Sequence, residues 1–141
     1  LLRYAARQRH VTLEADLAPA LAPMLADASQ LQQVLINLVV NAVEATPAGG
    51  RVTVRATPQV RAGITGVTLA VVDTGSGIAP EHLPRLFEPF FTTRPRGQGT
   101  GLGLAISREI VRAHRGEIDV ETSLGEGTTM TAWIPAAPDG A

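Results

Sequence analysis

The 141-residue sequence contains no cysteine, which excludes disulfides, thiolate chemistry and cysteine-based zinc or iron–sulfur sites. An excess of charge of one sign is missing too: 12 basic residues stand against 13 acidic ones, for a formal net charge of −1. A nucleic-acid-binding surface normally shows as a basic excess, so no nucleic-acid partner is expected. No apolar run is long enough to span a bilayer; the nearest, from Val34 to Val40, is broken by Asn37. The first residues lack the apolar core and cleavage site of a signal peptide. No methionine opens the chain, so residues 1–10 read as the tail of an upstream helix or a linker. Aromatic residues make up only 4% of the chain, and Phe87, Phe90 and Phe91 fall within one short window. A spread-out core would scatter its aromatics, so this cluster reads as a local packing unit beside a loop.

Glycine, by contrast, is plentiful and concentrated between residues 71 and 104. That stretch holds Asp73-Thr74-Gly75-Ser76-Gly77-Ile78, then Leu86-Phe87-Glu88-Pro89-Phe90-Phe91-Thr92-Thr93, then Gly97-Gln98-Gly99-Thr100-Gly101-Leu102-Gly103-Leu104. Glycine supplies backbone positions that other residues tolerate badly, at an entropic cost. Concentrating it brings backbone amides close to a ligand, which is a nucleotide-phosphate reading. Gly97, Gly99, Gly101 and Gly103 recur at every second position, which does not fit G-x-G-x-x-G behind a strand, and no Gly-Lys pair occurs for G-x-x-x-x-G-K-[ST]. The run nevertheless leads into a helix N-terminus, whose free amides and dipole favour an anion. A flexible surface loop would explain the glycines less well at that place.

In chain order, Val11, Leu13 and Ala15 alternate with polar residues, as in a half-exposed strand. Residues 18–26 carry two prolines and read as a connection. Asp27 stands where it can cap a helix over 28–45, with Gln30 in the capping-box place. In that helix Leu31, Leu35, Leu38 and Ala42 share one face, and Gln33, Asn37, Asn41 and Glu44 share the opposite one. Strands are predicted over 51–57 and 66–72, joined by a connection at 58–63. A short helix follows at 80–86 and an irregular loop at 88–101. A helix over 102–113, with Leu102, Ile106, Ile110 and Ala113 inward, is stopped by Gly116. Two further strands, 117–122 and 128–134, flank the turn at 123–127. The fold class this predicts is α/β: a two-layer α/β sandwich with a mostly antiparallel mixed sheet and helices on one face. The domain is expected over 11–135, with an irregular tail at 136–141.

Several residues could carry chemistry. Asp73 follows an apolar strand directly; its carboxylate can accept from the exocyclic amine of adenine, or it can close an Asx-turn at the strand end. Asn41, with Asn37 one turn earlier, offers neutral oxygens to a hard cation such as Mg²⁺, which is usually held by few protein groups plus phosphates. A merely solvated face would more commonly carry Lys or Glu. Glu44 shares that stripe and could orient a water. His10, His82 and His114 show no metal-ligand spacing, and no Ser-His-Asp or paired-carboxylate arrangement stands out.

Asn37-Leu38-Val39-Val40-Asn41-Ala42 and the three glycine- and phenylalanine-rich segments above resemble, in order, the N, G1, F and G2 boxes of sensor histidine kinase catalytic domains. Gly125-Glu126-Gly127-Thr128 resembles a further turn of the same family, so the likeness covers nearly the whole chain. The Phe-Glu-Pro-Phe-Phe-Thr-Thr form is similar to that of the nitrogen-regulation sensors. The resemblance implies a Bergerat-type sandwich binding ATP and Mg²⁺ between the helices, under a lid. By it, Asn41 would hold the metal and Asn37 would assist near the phosphates. Asp73 would bind the adenine amine, Gly75, Gly77 and Ile78 would shape the purine pocket, and Thr128 would support the Asp73 side. Phe87, Thr92, Thr93, Gly99, Thr100, Gly101, Leu102, Gly103 and Leu104 would line the lid and phosphate end, with Arg94 steadying the γ-phosphate. Glu44 stands where many relatives have a phosphate-binding lysine, a contact then left to Arg94 or Arg96. Arg115 replaces a glycine that often follows His114.

None of the three histidines has the setting of the family's phosphoacceptor. The resemblance therefore implies a kinase domain that serves a histidine on a separate helical dimerisation domain, for relay to a cognate response regulator. This piece is expected to be monomeric and cytoplasmic, within a homodimeric protein open to membrane association. The competing classes are a conformational ATPase of the same fold, as in gyrase B, MutL or the ninety-kilodalton heat-shock chaperone, and an inactive nucleotide-binding module. Those ATPases place a water-activating glutamate where this chain has Asn37.

Overall fold

The computed structural model describes residues 2–17, 28–91 and 102–136. In chain order these form α1 (Leu2–Gln8), β1 (Thr12–Leu17), α2 (Ala28–Ala45), β2 (Arg51–Arg61), β3 (Ile64–Asp73), a 3₁₀ turn (Pro80–Arg85), α3 (Gly103–Ala113), β4 (Glu117–Ser123) and β5 (Gly127–Pro135). The strands make one sheet in the order β1-β2-β3-β5-β4. Only the β1–β2 pair is parallel; the other three are antiparallel. The expected two-layer, mostly antiparallel architecture is therefore what forms. Asp27, the expected cap of α2, lies outside the described residues.

Alternation along the strands puts one face of the sheet under the helices. Val54, Val71, Met130 and Val120 stand in a row across four strands. They join Val34, Leu38, Val39, Ala42 and Val43 of α2 and Val111 of α3 in a single apolar core. At about 25 cal/mol per Å² of apolar surface removed from water, such burial is the main force holding the two layers together. Ala6 and Leu2 of α1 also pack into this core.

Three details differ from the sequence reading. β2 continues through Pro58 to Arg61, and the hairpin closes on two residues, Ala62 and Gly63, both at positive φ (49° and 78°). Among the described residues β1 pairs with β2 as far as Ala56, so Pro58 stands beyond the described parallel pairing, where proline is tolerated. In α2 the buried arc is Val34, Leu38, Val39, Ala42 and Val43, while Leu31 and Leu35 are half-buried. A helix pressed between a sheet and neighbouring helices buries a wider arc than one stripe. In α3 the inward residues are Ser107 and Val111, flanked by the half-buried Leu104 and Ile110. Ile106 and Ala113 face outward, because a serine with a hydrogen-bond partner occupies the position an apolar count assigns elsewhere.

Both ends of the α3–β4 unit are defined by the backbone. Arg115 sits at φ 63°, with Arg115 N–H donating to Arg112 O and Gly116 N–H to Val111 O, both at 2.9 Å. These paired bonds satisfy the carbonyls a helix end leaves open. At the far end of the chain, Ala136 N–H still donates to Thr65 O at 2.8 Å, one residue past the expected boundary. The remaining tail residues, 137–141, lie outside the described part.

Candidate nucleotide-binding site

The helix-facing rows of the sheet are apolar until the last one. There Val52, Asp73, Thr128 and Thr122 stand side by side across β2, β3, β5 and β4. Asp73 is 7% exposed, and its Oδ1 accepts from Gly75 N–H at 2.8 Å and Thr128 N–H at 3.2 Å. Burial raises its carboxyl above the usual value near 3.8, and the bonds from Gly75 and Thr128 oppose that rise. Of the two readings of Asp73, the turn at the strand end is the one these bonds form. One carboxylate oxygen closes the Asx-type turn, and a carboxylate has acceptor capacity beyond those two bonds.

The glycines beside it are demanded by close approach. A Cβ on Gly75 would lie 2.5 Å from Ala45 O, at the C-terminal end of α2. Gly77 has φ 79°, and its Cβ would lie 2.3 Å from Ser123 O. The loop is also tied to the β4–β5 turn, since Gly125 N–H donates to Ser76 O at 2.8 Å.

Thr122 is the residue the sequence reading missed. Its Oγ1 accepts from Ile78 N–H at 2.9 Å, donates to Gly127 O at 3.1 Å, and lies 2.9 Å from Thr128 Oγ1. It therefore links Ile78, the turn and Thr128 at a single oxygen. The signal was present: closing the 123–127 turn on Ser123 and Gly127 sets Thr122 opposite Thr128.

The second half of the site lies along α2. Asn37, Asn41 and Glu44 are half-buried, so the polar stripe is no solvated face; Gln33 at its start is exposed. Asn37 reaches the start of α3, with Nδ2 donating to Gly103 O at 3.2 Å and to Ser107 Oγ at 3.3 Å. From Asn37 to Ala45 is eight residues, about 12 Å along the helix axis. Over that length α2 connects the Asp73 corner to the first turn of α3. Leu102 and Leu104 flank Gly103, half-buried, and Leu104 packs on the core.

The aromatic cluster is divided. Phe87 is half-buried with the Arg108 guanidinium 5.1 Å over its ring, and Phe91 lies under Arg85 at 4.6 Å. Phe90 is 74% exposed at φ 68°. Thr92, Thr93, Arg94, Arg96, Gly99, Thr100 and Gly101 lie outside the described residues. Asp73, Gly75, Gly77, Ile78 and Thr128 thus form one corner and Asn37 and Gly103 another, with Asn41 between them on α2.

Among the described residues no three His, Cys, Asp or Glu come together as a metal cage.

Comparison with known proteins shows the family. The profile described as "Histidine kinase-, DNA gyrase B-, and HSP90-like ATPase" matches residues 26–138. The sensor histidine kinase ZraS of Escherichia coli is 39% identical over 130 residues, which is 92% of this chain and 27% of that protein. Histidine protein kinase DivJ of Caulobacter vibrioides is 41% identical over 139 residues, covering 96% of this chain and 22% of that protein. The chain therefore spans about a quarter of the length of these relatives. Among solved structures, the catalytic domain of histidine kinase ThkA in a nucleotide-free form superposes with TM-score 0.79 at 32% identity, covering 97% of this chain and 92% of that one. Full-length ShkA in complex with AMPPNP superposes with TM-score 0.81 at 33% identity, over 99% of this chain and 30% of that one. A mixed sheet with a buried aspartate at one corner, a half-buried asparagine stripe, and these matches lead to one assignment: the chain belongs to the histidine kinase-, DNA gyrase B- and HSP90-like ATPase family, among the catalytic ATP-binding domains of histidine kinases.

Proposed function

We propose that this domain presents the γ-phosphoryl group of Mg²⁺-bound ATP to a histidine nitrogen on a separate helical dimerisation domain, from which the group passes to an aspartate of a response regulator. The observation that carries the reading is Asp73. It is a buried carboxylate fixed by two backbone N–H groups, set at the polar end of the sheet face. A carboxylate accepts from the exocyclic amine of adenine, whereas guanine presents a carbonyl there.

Gly75, Gly77 and Ile78 shape the purine side, and Thr128, through its N–H, keeps Asp73 oriented. Asn41 offers its amide oxygen to Mg²⁺, which supplies charge neutralisation at the phosphates when bound. Asn37, Gly103 and the residues on either side of α3's start form the phosphate end, with Gly99, Thr100, Gly101, Thr92, Thr93 and Arg94 assigned there by the family resemblance. Glu44 remains on the nucleotide-facing stripe, in place of a cation.

In the transfer step the imidazole nitrogen attacks phosphorus in line, the bond to the β,γ-bridging oxygen breaks, and ADP leaves. Catalysis of this kind is positioning and charge stabilisation, with no strong base required of the domain. The related ATPases activate water with a glutamate where this chain has Asn37, an amide already engaged with Gln33, Gly103 and Ser107. That observation favours transfer to a protein over transfer to water. Among the described residues no helix is long and apolar enough to cross a membrane. We place the domain on the cytoplasmic side, where ATP is.

Titration calorimetry with a non-hydrolysable ATP analogue, with and without Mg²⁺, tests the reading against a GTP analogue. Micromolar, Mg²⁺-assisted and adenine-selective binding is expected. No binding, or equal binding of the guanine analogue, would overturn it.

A further inference from the structure

Ser107 is a fully buried hydroxyl in the middle of α3, and nothing in the proposed transfer uses it. Its neighbour across the helix pair is Asn37. The Asn37 amide accepts from Gln33 Nε2 at 2.8 Å through Oδ1, and donates through Nδ2 to Gly103 O at 3.2 Å and Ser107 Oγ at 3.3 Å. An amide nitrogen has two N–H donors, and both are thereby committed to α3. The direction is fixed as well, because the carbonyl of Gly103 can only accept.

We propose that Asn37 and Ser107 form a clasp that sets the first turn of α3 against α2, so that Ser107 is a positioning residue for the phosphate end of the site. Asn37 then acts on the nucleotide through α3. This deepens the reading above and rests on it.

Two features distinguish the clasp from ordinary helix packing. It holds Gly103, the first residue of α3, and not a residue of the helix body alone. It also lies eight residues, about 12 Å, along α2 from Ala45, the residue that abuts Gly75 beside Asp73. The adenine corner is built from the bonds of Gly75 and Thr128 N–H to the Asp73 carboxylate and the Ser76–Gly125 tie, none of which passes through Asn37 or Ser107. Loosening the clasp should therefore be felt by phosphates and not by adenine. Space is not the reason for the arrangement, since a Cβ on Gly103 would meet Asn37 only at an ordinary 3.7 Å.

The test compares two ligands on the same protein by calorimetry with Mg²⁺: adenosine, which reads the adenine corner, and a non-hydrolysable ATP analogue, which reads both ends. Ser107→Ala should weaken the ATP analogue about fivefold, the worth of one hydrogen bond, and leave adenosine unchanged. Asn37→Asp, which turns both donors into an acceptor facing Gly103 O, should weaken the analogue at least as much. It carries the test if Ser107→Ala does not fold. In the double variant the losses should not add, because both changes open the same contact. Analogue affinity equal to the parent's, or equal losses for both ligands, would overturn the clasp and leave the nucleotide reading standing. A parent that binds neither ligand would overturn the nucleotide reading itself, and the clasp with it.

Discussion

At the residue scale the site depends on a carboxylate placed where it is unfavourable for folding. Asp73 is buried, and burial holds its carboxyl above the usual range against two hydrogen bonds that pull it down. A carboxylate raised in the folded state costs stability only once it ionises. The penalty is absent below the usual value near 3.8 and grows as pH rises through the elevated one. Asp73→Asn keeps an oxygen for Gly75 and Thr128 while removing that penalty. The variant should therefore melt no lower than the parent at neutral pH, with the difference shifting toward the parent in acid. Its amide N–H would face the adenine amine donor to donor, so ATP affinity should fall about 100-fold, as for a lost hydrogen bond to a charged group. Calorimetry showing an affinity within about threefold of the parent would refute the adenine role. Gly103 offers the complementary case. Among the described residues nothing crowds its missing Cβ, whereas Gly75 faces Ala45 O at 2.5 Å. Gly103→Ala should thus fold with unchanged or higher melting temperature yet bind ATP more weakly, while Gly75→Ala should lose about 1–3 kcal/mol of stability. Denaturation and binding measured on both variants separate the two kinds of glycine. Asp73, Asn37 and Asn41 were legible in the sequence because a polar residue next to glycines, or repeated on a helix stripe, conflicts with its local setting. Ser107 was not, since nothing near it in sequence shows what it touches, and Thr122 was legible only through the register of the turn at 123–127.

At the element scale, α3 shows how a local rule and a tertiary contact compete. Counting apolar residues selects Ile106 and Ile110 as its inner face, but the helix is rotated so that Ser107 and Val111 point inward. The Asn37 hydrogen bond makes a buried serine acceptable, and apolar periodicity has no way to register such a partner. Its C-terminus carries a local departure. Arg115 occupies the left-handed position, φ 63°, where a side chain is strained and glycine is not. Arg115→Gly should stabilise the domain by about 1 kcal/mol, raising the melting temperature by about 4 °C. ATP binding should stay as it was, because Arg115 lies in the turn after α3, at the end opposite Gly103. A scanning-calorimetry midpoint equal to or below the parent's would count against this account of the helix end. The β2–β3 hairpin teaches the same lesson for strands. Pro58 read as a break because how far β1 pairs along β2, to Ala56 among the described residues, is not written in β2 itself.

At the scale of the whole molecule, the sequence by itself determined the layers and the chemistry. Strand alternation marked which strand residues turn inward, and the absence of cysteine and of charge excess removed whole classes of function. The glycine segments, read in order, pointed to the family that the matches to histidine kinase catalytic domains show. These properties depend on residue type and short spacing, which a chain carries in any conformation. The tertiary structure alone decided what lies beside what. It set Thr122 and Thr128 next to Asp73 in one row, brought Ala45 of α2 against Gly75, and closed Asn37 on Ser107 70 residues away. The reason is physical: register and helix rotation are set by burial shared across the whole core, and no single segment holds enough of that core to specify them.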